Sequence, residues 1–435
     1  MSDQSRDKWL NPQTGTADVK WVRKIAEAFP AFKSSNYVKY FWGQLISLIG
    51  TWLQIVAQGW LVLKLTNSAF LIGLVTAMST LPTLFFTLFG GVIVDRLSKK
   101  KILIYTQFSA MILAFALGLL SIFDLITVWL IALLAFMLGM VNALDAPARQ
   151  AFVSEIVSKD QLTSAIAINS SVFNGARVIG PGLAGLLIAW IGTGGAFIVN
   201  GVSYIAVLLA LTSMKLPKKL AKTQQPKAFR AIKDGLKYTF THPVISTLIL
   251  LAGIISIFGW SYTTLLPFIA QNTFHLDATG LGYLYAASGL GSLLGALIVG
   301  GFSRRLSPLP FIFVGNLMFV ISISLFTFTT NLPFALLLMF LSGMGLLFQA
   351  AMINTSIQRI VKDEFRGRVM SIYILMFLGM TPIGNLQIGY VSETINVDFA
   401  IRLGAAVVFL GGLIIFVFRN KILSKYKRYK RTSEG

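Results

Sequence analysis

The chain has 435 residues, of which 55% are hydrophobic and only 12% charged, and its formal net charge is +21 at pH 7. An ordinary soluble domain carries about 25% charged residues, so this much apolar sequence exceeds what a water-soluble core can bury. The absence of cysteine excludes a disulfide scaffold, a thiolate metal site and a cysteine nucleophile, and two histidines are too few for most histidine-rich metal sites. We therefore expect an integral membrane protein with many spans that uses neither a metal nor a cofactor.

Apolar segments, each close to the roughly 20 residues that cross the hydrocarbon core of a bilayer, follow one another along the chain. We number them spans 1 to 12, with approximate cores at 40–64, 70–94, 102–123, 126–147, 164–189, 195–214, 244–270, 280–302, 309–329, 332–354, 369–390 and 399–418. This pattern predicts an all-α membrane protein. We expect no enzymatic activity, because no HExxH, GxSxG or paired carboxylates at membrane depth occur.

The basic residues predict the orientation of these spans. An even number of spans places both termini on one side, and all but three of the 37 Lys and Arg residues fall on that side; the exceptions are Lys64, Arg177 and Arg402. Short loops rich in Lys and Arg stay in the cytoplasm. We therefore predict a multi-pass protein of a bacterial inner (plasma) membrane with both termini in the cytoplasm. The positive charge is then a topology signal, and we expect no nucleic-acid partner.

A polar segment between spans 6 and 7 divides the chain into two sets of six helices. The predicted regions are an N-terminal cytoplasmic tail at 1–37, a six-helix bundle at 38–215, a cytoplasmic linker at 216–243, a second six-helix bundle at 244–420 and a basic tail at 421–435. Residues 229–240 of the linker show the spacing of an amphipathic helix, which either lies on the inner membrane surface or docks on the protein.

An internal repeat supports this division. When Arg96-Leu97-Ser98 is aligned with Arg305-Leu306-Ser307, Gly73 also falls on Gly282, and a second match places Ile156-Val157 beside Ile360-Val361. Two parallel six-helix halves joined by a linker are typical of transporters whose binding site lies between the halves, near the middle of the bilayer. No GxxxxGK(S/T) loop for ATP phosphates occurs, so transport by this chain alone would use a gradient.

The segment after span 2 contains Gly91, Asp95 and Arg96 within Gly-Gly-Val-Ile-Val-Asp-Arg-Leu-Ser-Lys-Lys-Lys. Gly91 would let neighbouring helices approach closely, and Asp95 could accept hydrogen bonds from the N-terminus of span 11. The segment resembles motif A of the major facilitator superfamily, which implies the two-bundle major facilitator fold and a conformational latch at this place. The alternative is a loop that is basic only because it stays in the cytoplasm.

Span 5 contains Gly180, Pro181 and Gly185, and it resembles motif C, the Gly-Pro signature associated with exporters of that superfamily. Pro181 has no amide hydrogen, so it releases the backbone carbonyl of Arg177 and favours a kink there. An arginine near the middle of the bilayer needs a partner or a watery cavity. We expect Arg177 to form an ion-pair strut to span 4, slightly in preference to lining the transport cavity.

Asp145 and Arg149 lie four residues apart at the end of span 4, so they share one helical face if the helix continues past Pro147. We predict that protonation of Asp145 couples transport to protons by switching an ion pair with Arg149 or Arg177. A fixed pair at the cytoplasmic gate is an equally good interpretation of the same spacing.

Most candidate cavity residues follow from the analogy with the superfamily, in which spans 1, 4, 7 and 10 line the central cavity, and Asn174 of span 5 is a further candidate. The polar and aromatic candidates are Gln54, Gln58, Asn142, Asn174, Trp260, Tyr262, Gln349 and Asn354. Such amides can orient a ligand while apolar walls supply contact area. The alternative is that the same side chains hydrogen-bond neighbouring helices to each other.

Several further motifs are similar to those of the enterobactin-exporter and macrolide-efflux branch of the superfamily. They include Trp42-x-Gly-Gln44, Asp145-x-Pro147-x-Arg149-Gln150-Ala151 and Asn174-x-x-Arg177-x-x-Gly180-Pro181. The resemblance implies a secondary transporter that exports amphipathic drug-like molecules or siderophores in exchange for protons, and we expect it to act as a monomer. No Asp, Glu or His lies deep within a span, which leaves the coupling ion open. The alternatives are a lipid or lysolipid translocator, an importer, and a membrane sensor or scaffold without transport activity.

Overall fold

A computed structural model describes residues 29–214, 228–302 and 307–414, except for the side chains of 87–93, 95, 96, 228–233 and 302. The helices are α1 (Ser35–Thr66), α2 (Ala69–Arg96), α3 (Lys99–Ile122), α4 (Val128–Ile156), α5 and α6 (together Leu162–Ser213), α7 (Ala228–Thr241), α8 (Pro243–Asn272), α9 (Ala278–Phe302), α10 (Pro308–Phe326), α11 (Leu332–Ile360), α12 (Asp363–Thr394) and α13 (Val397–Ile414). Spans 1 to 6 are α1 to α6, and spans 7 to 12 are α8 to α13. The described part of the chain contains no strand.

The predicted all-α fold with twelve spans is confirmed. Eleven apolar helices are long enough to cross a membrane, and one of them, Leu162–Ser213, is broken by a non-helical residue at Gly192 into α5 and α6. Gly192 has φ 71°, a left-handed conformation that glycine adopts without steric cost. The break falls in the gap expected between spans 5 and 6, so this one glycine lets the chain turn back without a loop.

Short polar side chains mark where several of these helices begin. Ser34, Ser68, Thr127 and Asn331 each precede a helix and accept a hydrogen bond from the backbone amide three residues further on. Such caps satisfy amides that the first turn of a helix leaves without intrahelical partners. The chain therefore signals the helix starts locally, although the bilayer sets the length of each helix.

Both α8 and α12, which belong to the second half, are interrupted by a change of helix type. A π-helical turn covers Ile255–Gly259 in α8 and another covers Leu375–Gly379 in α12. In α8 the backbone amide of Trp260 donates to the carbonyl of Ile255 at 2.8 Å, five residues back, and a 3₁₀ segment follows. Single π turns often occur at functional sites, because they rotate the following side chains relative to the preceding ones.

Close helix contacts join the two halves on the side of the molecule opposite the linker. A methyl group built on Gly185 of α5 would lie 2.5 Å from the carbonyl oxygen of Ala278 at the start of α9, and one on Gly389 of α12 would lie 3.1 Å from that of Ala69 at the start of α2. The repeat partners Gly73 and Gly282 make a second such pair of contacts, against Asn385 of α12 and Pro181 of α5. The α5/α9 and α2/α12 contacts are therefore related by an approximate twofold symmetry.

The linker helix α7 docks on the start of α12. The ring of Tyr238 stacks on Phe365 with centroids 4.2 Å apart, and Asp234 lies 3.7 Å from the guanidinium of Arg368. Of the two interpretations of this helix, these contacts favour docking on the protein, although Phe240 stays 58% exposed and could still face lipid. The predicted tails up to residue 28 and from 421, and the linker up to residue 227, lie outside the described residues.

Candidate transport cavity

A cavity of about 1150 Å³ lies between the two halves. Its walls come from α1, α2, α4 and α5 of the first half, α8, α9 and α12 of the second half, and Leu236 of α7. Because Leu236, Gln150 and Arg368 belong to its rim, the cavity extends to the linker side of the molecule, whereas the glycine contacts close the opposite side. Its volume slightly exceeds the roughly 300–1,000 Å³ of typical cavities that bind drug-sized ligands.

The cavity wall mixes apolar surface with many hydroxyl groups and little formal charge. Arg177 and Arg368 are the charged residues among the described lining side chains, and no Asp or Glu is among them. Arg368 sits at the rim, where Asp234 of α7 is 3.7 Å away. Arg177 is therefore the lining cation that is not matched by a nearby carboxylate within the described part of the chain.

Arg177 faces the second half of the molecule. Its guanidinium carbon lies 4.4 Å from the ring centroid of Trp260 on α8, a cation–π contact. The side chain lines the cavity and makes no ion pair or side-chain hydrogen bond with the described residues. The expected strut from Arg177 to span 4 is therefore absent here: Asp145, the carboxylate on that helix, already has other partners.

Asp145 of α4 is only 3% exposed and points toward α3 rather than into the cavity. One carboxylate oxygen accepts hydrogen bonds from Thr106 Oγ1 at 2.7 Å and Gln107 Nε2 at 2.8 Å. The other accepts two from the guanidinium of Arg149, one of them from Nε at 2.7 Å. A buried carboxylate with this many donors is well compensated, so the structure joins Asp145 to Arg149 and leaves Arg177 out of that network.

The predicted cavity residues divide into two groups. Asn142 and Trp260 line the cavity. The other six lie outside the described lining: Gln54 accepts from Asn200, Gln349 accepts from Asn316, Tyr262 shares its hydroxyl with Ser288 and Ser342, Asn174 bonds to the backbone of Ser170, Asn354 accepts from Gln358, and Gln58 is buried in α1. For most of these six the partner is a polar group of a neighbouring helix or of the same helix, as is common for polar side chains between membrane helices.

The motif residues of span 5 shape the interface around the cavity. A methyl group on Gly180 would lie 2.5 Å from Cβ of Trp52 on α1, Pro181 lines the cavity, and Gly185 contacts α9. The span 10 wall expected by analogy is replaced by α12, since no residue of α11 is among the described lining residues. The side chains of Gly91, Asp95 and Arg96 lie outside the described residues, so the latch expected from motif A stays a prediction.

Several lining residues were not predicted from the sequence. Thr76, Thr80 and Thr83 follow one another at helical spacing on α2, and that spacing could have indicated a polar stripe. Ser256 lies one turn before Trp260 on α8, inside the π turn. Its hydroxyl is buried without a hydrogen-bond partner, and no sequence signal marks it.

Comparison with known families decides what kind of cavity this is. The model of the transmembrane secretion effector family of the major facilitator superfamily matches residues 26–431, nearly the whole chain. The chain belongs to this family. The predicted superfamily, its two-bundle fold and the absence of an enzymatic role are thereby confirmed, and the chain is a multi-pass membrane transporter.

Curated relatives of this secretion effector are bacterial transporters. It is 26% identical to the staphyloferrin A transporter of Staphylococcus aureus over 82% of its own length and 90% of the relative's. The multidrug efflux pump Tap of Mycolicibacterium fortuitum is 26% identical over 86% and 93%, and the enterobactin exporter EntS of Escherichia coli is 24% identical over 95% and 97%. The resemblance to the enterobactin-exporter and macrolide-efflux branch is thus confirmed.

Solved structures share the fold of this family member at low sequence identity. A peptide transporter superposes with a TM-score of 0.74 and 12% identity, covering 92% of this chain and 98% of that one. A bacterial homologue of the lysosomal transporter Spinster, in an inward-facing conformation, gives a TM-score of 0.67 and 14% identity over 92% and 97%. These similarities establish the arrangement of helices and carry no information on substrate.

Proposed function

We propose that this protein exports amphipathic small molecules by alternating access. The observation that carries the proposal is the cavity between the halves, open toward the linker and closed on the opposite side by the paired α5/α9 and α2/α12 contacts. If the two bundles rock against each other, the glycine contacts open and the linker side closes, so that the ligand is carried from one side to the other. With the linker and both termini in the cytoplasm, the described conformation accepts its substrate from the cytoplasm.

The proposed substrates are siderophores or drug-like compounds. Relatives that resemble the chain over most of its length carry staphyloferrin A, enterobactin, drugs or macrolides. The cavity wall supports this range, because aromatic residues such as Trp52 and Phe173 offer contact area while Asn142 and the hydroxyls of α2 offer directional hydrogen bonds.

Proton antiport is the proposed energy source. Asp145 is a buried carboxylate whose protonation would remove the negative charge that holds Arg149, and this change would alter the packing of α3 against α4. Coupling through this pair would be indirect, since neither side chain lines the cavity. The protein is proposed to act as a monomer within the lipid bilayer.

Everted membrane vesicles with an imposed pH gradient test the proposal. Enterobactin and fluorescein serve as probes, and uptake into vesicles that contain the protein should exceed uptake into control vesicles only while the gradient is present. The double variant Asp145→Asn/Arg149→Gln avoids a lone buried charge and should abolish the dependence on the gradient. The matched control is Asp398→Asn, since Asp398 is a half-exposed carboxylate 4.0 Å from Arg402 and lies away from the cavity. Uptake that ignores both the gradient and the double variant would refute antiport, and movement of the probes out of these vesicles would indicate an importer.

A further inference from the structure

The charged side chains among the described residues of the cavity wall are all of one sign. Of the described lining residues, Arg177 and Arg368 carry a charge, and Arg368 is partly matched by Asp234. A cationic ligand inside this cavity would meet a guanidinium and no carboxylate among the described lining residues. Since a buried charge is unfavourable without compensation, the cavity disfavours organic cations on electrostatic grounds.

The guanidinium of Arg177 is held in place, but its N–H groups have no hydrogen-bond acceptor among the described residues. Its guanidinium carbon lies 4.4 Å from the ring centroid of Trp260, and its N–H groups form no ion pair or hydrogen bond with the described residues. Guanidinium N–H groups form a rigid fork that matches the two oxygens of a carboxylate or a similar planar oxyanion. The aromatic contact therefore holds the guanidinium against α8, while its N–H groups lack an acceptor among the described residues.

A second polar group of the wall is also without a partner. Ser256 is 1% exposed, its hydroxyl forms no hydrogen bond, and it lines the same cavity one turn before Trp260. The other lining hydroxyls behave differently: those of Thr76, Thr80, Ser261, Thr263, Thr264, Tyr285, Ser288, Ser371 and Thr381 each have a partner. An unsatisfied buried hydroxyl costs free energy, and a ligand that supplies an acceptor removes that cost.

We infer that the cavity binds anionic amphiphiles, with Arg177 as the residue that recognises a carboxylate or comparable oxyanion and Ser256 as an additional donor. This inference rests on the proposed export function and names its substrate class. The anion would bind at the edge of the Arg177 guanidinium, while Trp260 and the apolar wall hold the rest of the molecule. Arg177 comes from the first half and Ser256 and Trp260 from the second, so the bound anion contacts both halves.

Two dyes of one skeleton test the charge preference directly. Fluorescein is an anion and rhodamine 123 a cation at neutral pH, and both contain the same fused xanthene ring system. The purified full chain in detergent micelles should bind fluorescein at least tenfold more tightly than rhodamine 123, as measured by equilibrium dialysis. Arg177→Gln should weaken fluorescein binding about tenfold or more, the effect of losing a hydrogen bond from a charged donor, and should not weaken rhodamine binding. Arg177→Lys should restore part of the affinity because it keeps the charge but not the fork.

The controls separate recognition from folding. Arg402 also makes a cation–π contact, since its guanidinium carbon lies 3.9 Å from the ring centroid of Phe328, but it is not among the described lining residues of the cavity. Arg402→Gln should therefore leave the binding affinities for both dyes unchanged. Ser256→Ala should weaken fluorescein binding by a smaller factor without lowering the unfolding midpoint, because it removes a buried hydroxyl that has no partner. Equal binding of both dyes, fluorescein affinity unchanged in Arg177→Gln, or no binding of fluorescein at all would overturn the inference.

Competition identifies the source of the anion. Displacement of fluorescein by citrate or 2,3-dihydroxybenzoate supports a soluble substrate, whereas displacement only by lysophosphatidylglycerol supports an anionic lipid at the same guanidinium. Vesicles separate this inference from the proposed function. Gradient-driven uptake of rhodamine 123 without anion binding would refute the anionic substrate class but leave export intact. Arg177-dependent binding of fluorescein without any gradient-driven uptake would refute export but leave the anionic ligand class intact.

Discussion

The contact between Gly185 and Ala278 gives the sharpest test of alternating access. A methyl group on Gly185 would lie 2.5 Å from the carbonyl oxygen of Ala278 and 2.8 Å from Cα of Thr279, both backbone atoms of α9. Ordinary van der Waals contact requires about 3.5 Å, so Gly185→Ala forces α5 and α9 apart by about 1 Å in the conformation described here. Inserting one methyl group into such a contact costs about 1–3 kcal/mol.

This cost applies only while the side opposite the linker is closed. The gain in helix propensity from Gly to Ala is the same in both conformations, because residue 185 is helical in each, and it cancels. The population open toward the opposite side should therefore rise by roughly 5- to 150-fold. Gly182→Ala is the matched control, since a methyl group on Gly182 has no atom within 4 Å. Gly389→Ala, whose methyl group would meet Ala69 at 3.1 Å, should give an intermediate rise.

The assay uses the absence of cysteine from the natural chain. Thr263→Cys places a single thiol in the cavity wall, and a membrane-impermeant maleimide is added from the side opposite the linker. The labelling rate should increase in the order Gly182→Ala, Gly389→Ala, Gly185→Ala. Equal rates in all three variants, with unfolding midpoints showing that each is folded, would refute the idea that these contacts hold the closed state.

Three further predictions concern contacts around the cavity. Asp145→Asn leaves the positive charge of Arg149 without its carboxylate partner and should reduce the free energy of unfolding by about 3 kcal/mol. This value is at the low end for buried ion pairs because the Arg149 side chain is 23% exposed. An unchanged thermal unfolding midpoint in detergent would contradict this prediction. Glu393 accepts hydrogen bonds from Ser68 Oγ at 3.1 Å and Phe70 N at 3.2 Å at the start of α2. Glu393→Gln should therefore weaken the contacts of the closed side by about 0.3–1 kcal/mol and raise the rate of maleimide labelling about two- to fivefold. Slower labelling would count against this prediction. Tyr262→Phe removes the hydroxyl shared with Ser288 and Ser342 and should reduce the free energy of unfolding by about 0.5–1.5 kcal/mol per hydrogen bond lost. Dye binding should stay unchanged, because Tyr262 is not among the described lining residues. An altered fluorescein affinity would contradict this placement of Tyr262.

The fold could be predicted from the sequence because the bilayer supplies most of the constraint. A fixed apolar thickness sets the length of each helix, and the placement of Lys and Arg predicts its direction. Even the turn between α5 and α6 fell in the expected gap, where Gly192 can adopt a positive φ. The π turns of α8 and α12 were not predicted, because no single residue type encodes a change of hydrogen-bond register.

The cavity was harder to predict because a polar side chain in a membrane helix has two ways to be satisfied. Gln54 and Gln349 could have faced a ligand, yet each meets an asparagine of a neighbouring helix, Asn200 and Asn316. The choice depends on how each helix is rotated about its axis, and that rotation follows from packing against helices distant in sequence. Asn142 lines the cavity on span 4, which the superfamily analogy names as a cavity helix, but that analogy does not specify which residues of the helix face inward.

Arg177 illustrates how a charge distant in sequence decides a role. Its assignment as a strut depended on Asp145 being available, and the donors of Thr106 and Gln107 on α3 together with Arg149 leave no acceptor for it. The symmetry of the two halves is broken at the same place, since Leu378 occupies the position in α12 that corresponds to Arg177.

The lack of a second arginine at this position of α12 has a consequence for transport. A ligand can shift the balance between two conformations only by binding one of them more tightly. In the described conformation the anion contacts Arg177 of the first half as well as Ser256 and Trp260 of the second. When the two halves rock to the opposite-facing conformation, these residues move relative to each other, so the anion loses one of the two sets of contacts. We therefore expect the affinity for the anion to differ between the two conformations, so that the single guanidinium also couples substrate occupancy to rocking.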